Sequence, residues 1–301
     1  INDLIAGVIV AIIALPLSIA LALASGVTPE KGIYTAITAG FVISFLGVSR
    51  VQIAGPTAAF ATIVAGIVAK NGMDGLIIAT LLAGVILILM GLFRLGNLIK
   101  FIPYTITTGF TSGIAVTILI GQIKDFLGLT IVSEEPLIET MDKLKAVFQF
   151  ISTTNLQALL VGVISLLILI VWQYLPGFCK KIPPSLIAVL VGSAMVALLN
   201  MNVNTIGDLY EISNKLPTIS LPSFSLKTVQ NVLPDAFTIA ILAAIESLLS
   251  CVVADSMVNS RHRSIMELIA QGAGNITSAL FGGIPATGAI ASFSAASTPQ
   301  L

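Results

Sequence analysis

Charge is what this sequence has least of. Only 9% of its 301 residues are Asp, Glu, Lys or Arg, against about 25% in a typical soluble domain. The 14 basic and 14 acidic residues cancel, so no nucleic-acid or acidic partner is implied. Cysteine is nearly absent as well. Cys179 and Cys251 are too few for a disulfide framework, and Cys251, inside an apolar run, reads as a small core residue. The single histidine, His262, has no Cys or Asp cluster around it, so no metal site is expected. No phosphate loop or nucleotide motif occurs, which argues against ATP-driven work and against any cofactor. What fills the chain is apolar: 56% of its residues are hydrophobic and the mean hydropathy is +1.06. A large soluble core fails as an explanation, because too few polar residues exist to cover its surface. The reading is an all-α integral membrane protein, multi-pass in the cell (inner) membrane, with the lipid bilayer as partner. No cleavable signal peptide is read, since the chain opens almost directly into a span.

Spans need roughly 17–25 apolar residues, and about ten segments present themselves. They lie near 4–25, 32–48, 57–69, 75–93, 104–122, 154–175, 184–200, 235–257, 264–280 and from 286 onward. The segments at 57–69 and from 286 are too short to cross alone and are expected as half-helices. Residues 134–145 read as an amphipathic surface helix, and 201–233 as an irregular or short-strand connection. Trp172 and Tyr174 are expected as interface anchors. Lys and Arg divide equally between alternate loops, but Arg50, Arg94, Arg261 and Arg263 all fall on one side. That side is expected to be cytoplasmic.

Two stretches break the membrane pattern. Residues 281–291 (FGGIPATGAIA) hold three glycines and Pro285, and residues 52–60 (QIAGPTAAF) place Pro56 in the same role. Proline fits best at the first turn of a helix, where its missing N–H costs nothing. The expectation is an extended approach followed in each case by a helix start, one at Thr57, Ala58 and Ala59, the other near Ala286 with Thr287, Gly288 and Ala289. Irregular backbone at membrane depth survives only when buried in protein or lining a cavity. Two facing helix N-termini would make an anion site. Pro16 and Ser18 could kink the first span and line that cavity. A shift of 232 residues lays Asp3, Ala11, Leu17 and Ser18 on Asp235, Ala243, Leu249 and Ser250; one of 229 lays Pro56 on Pro285. One seven-span unit used twice would explain both shifts, and an odd span count makes the copies inverted.

Glu246 is the one carboxylate in the middle of a span. Burying it charged costs at least ~2.5 kcal/mol on insertion scales, so it is expected to take up a proton or face a cation. Ser250, one turn on, shares its face. An intramembrane enzyme would need a catalytic pair, and Glu246 with Ser250 has no intramembrane base beside it; the chain is read as a non-enzyme. His262, with Arg261, Arg263 and Glu267, is read as a charge cluster at the cytoplasmic end, with Asp255 capped by or paired to it.

Several runs together resemble the SulP anion permeases: 15–20 (LPLSIA), 25–35 (SGVTPEKGIYT), 55–60 (GPTAAF), 101–104 (FIPY), 109–113 (GFTSG), 261–264 (RHRS), 267–272 (ELIAQG) and 282–290 (GGIPATGAI). The resemblance implies fourteen spans in two inverted seven-span repeats, core and gate subdomains, and often a cytoplasmic STAS domain. Against that pattern 1–301 is a partial transmembrane domain: first repeat about 1–200, connecting segment 201–233, start of the second repeat 234–301. The last four spans and any STAS domain are missing from it. Residues 292–301 do not look like the family's continuation, and Ser292 stands where many members carry an arginine. The resemblance further implies secondary active transport of sulfate, bicarbonate or a dicarboxylate, a substrate region reached from the Pro16 and Ser18 side, and a homodimer in the full-length protein. In Na⁺-coupled relatives the acid is an Asp with hydroxyls nearby on the tenth span. Here Glu246 and Ile290 stand at those places, so H⁺ is favoured as the coupling ion over Na⁺. A Na⁺-coupled bicarbonate transporter and a nucleobase:H⁺ symporter of the same fold remain the alternatives.

Overall fold

The computed structural model describes every residue except 1, 48, 50, 51, 97–103, 133–136, 138, 173, 176–181, 211–215, 220, 259–261 and 290–301. Expectations about Arg50, Arg261, Cys179, Ile290 and Ser292 therefore lie outside the described residues. Its elements are α1 (Asn2–Ala24), α2 (Pro29–Leu46), β1 (Ile53–Pro56), a single 3₁₀ turn (Ala58–Phe60) running into α3 (Ala61–Leu92), and α4 (Tyr104–Leu127). Next in the chain are α5 (Thr140–Gln149), α6 (Leu156–Trp172), α7 (Pro184–Leu198), α8 (Ile206–Leu209), α9 (Leu226–Val258), α10 (Ser264–Leu280) and β2 (Ala286–Ala289).

Local chemistry sets most of these boundaries. α1 stops where Gly26 turns left-handed, at φ 71°, and Val27 N–H returns to the Ala22 carbonyl at 3.1 Å, the pattern of a glycine C-cap. α2 opens on Pro29, with Glu30 in its first turn, where a missing N–H and an acid both suit the helix start. The apolar run 58–92 is not one helix. Gly72, at φ 68° and ψ −172°, breaks it, so a half-helix from 58 to 71 precedes a second piece, as the sequence leads one to expect.

The connecting segment is shorter than expected. α9 begins at Leu226 and passes through Pro234. Val232, Ala236, Ile239 and Ala240 are fully buried around it, and that packing holds the helix together across the one backbone bond proline forfeits.

The chain forms two compact units, residues 1–110 with 212–301 and residues 111–211. In the first, α3 packs on α9 and α10, and α2 packs on α1 and α10. Its core gathers Phe60, Val64, Leu76, Leu87, Ile239, Leu248 and Leu268. In the second, α6 packs on α7, and the Asn155 carboxamide oxygen caps α6 by accepting from Gln157 N–H at 2.9 Å. The amphipathic α5 tucks Ala146 and Val147 inward. Trp172 donates to the Ile182 carbonyl at 3.0 Å. Many large apolar side chains face outward, among them Phe41, Phe45, Phe93 and most of α6. A soluble monomer does not present so much contiguous apolar surface; a hydrocarbon surround accounts for it.

Candidate functional site

The site is built on two four-residue strands. β1 and β2 pair antiparallel, with Ile53 opposite Ala289 and Pro56 opposite Ala286. This corrects one expectation. Residues 286–289 are extended, so no helix starts at Ala286, and residues 290–301 are outside the described part of the chain. The physical reason is that the backbone of this segment finds partners a helix would not need. Ala286 N–H donates to Asn275 Oδ1 and its carbonyl accepts from Asn275 Nδ2, both at 2.9 Å. Gly288 N–H donates to Ser247 Oγ at 3.3 Å and its carbonyl accepts from Ser250 Oγ at 2.8 Å. Alternate residues of a strand aim their backbone groups away from the paired neighbour, and here α10 and α9 supply side chains to meet them. The approach to β2 is held the same way. Ile284 N–H donates to Thr35 Oγ1 at 2.7 Å, and Ser278 Oγ donates to the Ile284 carbonyl at 2.7 Å.

The other expected helix start is present. Thr57 caps the 3₁₀ turn at Ala58–Phe60, its hydroxyl oxygen accepting from Ala59 N–H at 3.4 Å. The same hydroxyl donates to Glu246 Oε1 at 2.7 Å. Ala58 and Ala59 are half-buried and carry no bulk that would block approach to the turn's N–H groups. Thr287, fully buried on β2, turns its hydroxyl to the same carboxyl group. Neither Thr287 Oγ1 nor the buried Glu246 Oε2 completes a hydrogen bond of good geometry. Thr57, Thr287 and Glu246 thus meet, contributed by a helix start, a strand and the long helix α9. Replacing Thr57 with valine removes the donor to Glu246 and the cap together. It should lower the melting temperature in detergent, the lost cap and the lost hydrogen bond each costing about 1 kcal/mol, while Thr57→Ser should keep it.

Ser250 is buried where expected, but its proton is committed to the Gly288 carbonyl, leaving its oxygen lone pairs as its free chemistry. Ser18 lies on the wall of a cavity of about 200 Å³ between α1, α2 and β1, with Val10, Leu17, Gly40, Ser44 and Ile53–Pro56. That cavity does not include Glu246, Thr57 or Thr287 in its lining. Pro16 is exposed and does not line it, so the structure does not bring Pro16 to the site. Its ring lies on the opposite side of α1 from the buried Ser18.

Asp255 pairs with His262, Oδ2 to Nδ1 at 2.7 Å, the pairing expected for it. Glu267 does not belong to an exposed cluster. It is 1% exposed and accepts from Gln271 Nε2 at 2.9 Å. Gln271 and Asn275 come after it at successive four-residue steps, all buried. That polar stripe on an otherwise apolar helix was the sequence signal for the strand clamp.

Paired extended segments, one feeding a broken helix, beside an acid inside a long apolar helix define a membrane-transporter fold of the discontinuous-helix kind. The chain belongs to the sulfate permease family, whose model matches residues 1–296. It is 44% identical over 292 residues to the putative sulfate transporter YvdB of Bacillus subtilis, covering 96% of this chain and 54% of that protein. It is 33% identical over 301 residues to the bicarbonate transporter BicA of Picosynechococcus sp., covering 96% and 52% respectively. The chain spans about half the length of the curated relatives it matches. Among solved structures, the transmembrane domain of a cyanobacterium bicarbonate transporter BicA superposes with a TM-score of 0.82 at 31% identity, over 98% of this chain and 76% of that one. SLC26A9 shares the fold, with a TM-score of 0.83 at 20% identity over 98% of this chain and 50% of that one. The relatives are named as transporters, not enzymes.

Proposed function

We propose that the complete protein is a secondary transporter of a small anion, sulfate, bicarbonate or a dicarboxylate, coupled to H⁺ through Glu246. The observation that carries this is a pair of buried oxygens, Glu246 Oε2 and Thr287 Oγ1, which neighbour each other without completing a hydrogen bond of good geometry. A native structure rarely leaves such groups unsatisfied without a functional reason. The pair fits either protonation state: the carboxylate accepts from the Thr287 hydroxyl, and the carboxylic acid donates to its oxygen, while Oε1 keeps accepting from Thr57 in both, so a proton can be taken up and released without breaking the arrangement. The neutral acid removes a negative charge from beside the half-helix start, whose positive end and N–H groups favour an anion. Proton and anion thereby load together.

The antiparallel pairing of β1 with β2 supports the inverted relation between a first repeat (about 1–200) and the start of a second (234–301), since a two-fold axis between the strands exchanges them. The two compact units correspond in this reading to the core and part of the gate of an alternating-access cycle in the cell's inner membrane. The complete protein is taken to be a homodimer.

The test is flux into proteoliposomes holding the complete protein, with labelled sulfate, bicarbonate and fumarate, under imposed pH or Na⁺ gradients. Uptake of at least one anion driven by an inward H⁺ gradient is expected. A Na⁺ requirement without a pH effect would defeat H⁺ coupling and leave anion transport standing. Uptake of labelled uracil but of none of the anions would move the protein to the nucleobase branch.

A further inference from the structure

We infer that Gln52 is a positioning residue of the anion site: its side-chain amide fixes β1, β2 and one turn of α9 against each other, and so sets where Thr57 meets Glu246. The inference deepens the transport reading and rests on it.

Gln52 stands immediately before β1 and is 9% exposed. Its Nε2 donates to the Ser247 carbonyl at 3.3 Å, and its Oε1 accepts from Cys251 Sγ at 2.8 Å. Ser247 and Cys251 are one helical turn apart, so the amide brackets that turn. The turn begins at the residue after Glu246. Five residues along from Gln52, Thr57 makes the second attachment of the same segment to α9, through Glu246 Oε1. One attachment would leave the strand free to pivot on the helix; two, at opposite ends, fix its direction as well as its position.

Gly288 closes the arrangement. A Cβ there would overlap the Nε2 and Cδ of Gln52 and lie 2.9 Å from its Cγ. The glutamine therefore lies flat on the bare Cα of β2. Gly288 is bonded in turn to Ser247 Oγ and Ser250 Oγ, so Gln52, β2 and the 247–251 turn are each tied to the other two. An amide suits this place. Its nitrogen donates to the Ser247 carbonyl while its oxygen accepts from the Cys251 thiol; a carboxylate would set oxygen against oxygen, and an aliphatic chain would supply neither.

Gln52→Leu in the complete protein should reach the membrane at normal abundance and raise the KM for the transported anion about tenfold, with a smaller change in maximal rate, the signature of a displaced site. Gly288→Ala alone should lose most uptake and melt at a lower temperature in detergent. Gln52→Ala with Gly288→Ala should melt higher and transport faster than Gly288→Ala alone, because truncating the glutamine vacates the space the new methyl needs. An unchanged KM in Gln52→Leu, or a Gly288→Ala defect indifferent to the glutamine, overturns the inference while wild-type uptake keeps the transport reading. A wild-type protein that moves none of the anions removes that reading, and the positioning role with it.

Discussion

Glu246→Ala in the complete protein is expected to cut H⁺-driven anion uptake by about a hundredfold or more, the lower end of what a positioned proton-transfer group contributes. Alanine removes the proton site and strands the Thr57 hydroxyl that donates to it at 2.7 Å. Glu246→Gln separates those two effects. The amide oxygen can still accept from Thr57 and the amide nitrogen can donate towards Thr287, so the side chain imitates the protonated acid. The glutamine protein should therefore keep exchange of internal for external anion near wild-type rates and lose uptake against a gradient. Counterflow and net uptake, measured on the same vesicles, distinguish the two. Concentrative uptake by Glu246→Gln at the wild-type rate would place the coupling elsewhere. The protein's melting temperature should change little in Glu246→Gln, because the buried hydrogen-bonding pattern is kept.

The lone acid at Glu246 and the break between the segments 57–69 and 75–93, which falls at Gly72, were legible in the sequence because both are local signals. A carboxylate in an apolar run has few explanations, and Gly72 adopts a backbone angle side chains resist. The stretch 286–289 was not legible in the same way. Proline followed by small residues is a sound local prompt for a helix, but the outcome here was decided by residues far along the chain: β1 more than two hundred positions earlier, Asn275 on α10, and Ser247 and Ser250 on α9. Gln52 was hidden for a related reason. A polar residue before a strand looks like a loop residue until Ser247, Cys251 and Gly288 are seen around it. Glu267 was misplaced because its neighbours Arg261, His262 and Arg263 are charged or polar in sequence, while its own position on α10 turns it inward.

The second large effect concerns the crossing of α3 and α10, on which the strands depend. Gly84 and Gly272 touch backbone to backbone: a Cβ on Gly84 would lie 2.7 Å from the Gly272 carbonyl oxygen, and one on Gly272 would lie 2.6 Å from that of Gly84. Two turns along α3, Gly91 repeats the approach, with the Ile265 carbonyl oxygen 3.0 Å from its absent Cβ. Small residues at such crossings are how membrane helices gain contact without a hydrophobic drive between them. No rotamer change relieves a clash with backbone, so the helices must separate. Gly272→Ala should cost about 1–3 kcal/mol, the usual range for overpacking, and Gly272→Leu should prevent stable folding. The defect should reach function, because Asn275, which clamps Ala286 through two bonds, lies one turn beyond Gly272 on the same helix. Uptake and melting temperature should thus fall together, unlike in Glu246→Gln. Gly66, on the same α3, has nothing within 4 Å of its missing Cβ, so Gly66→Ala should leave the melting temperature unchanged or raise it. Equal losses at Gly66 and Gly272 would mean that glycine content in general, and not this crossing, sets the stability of the fold.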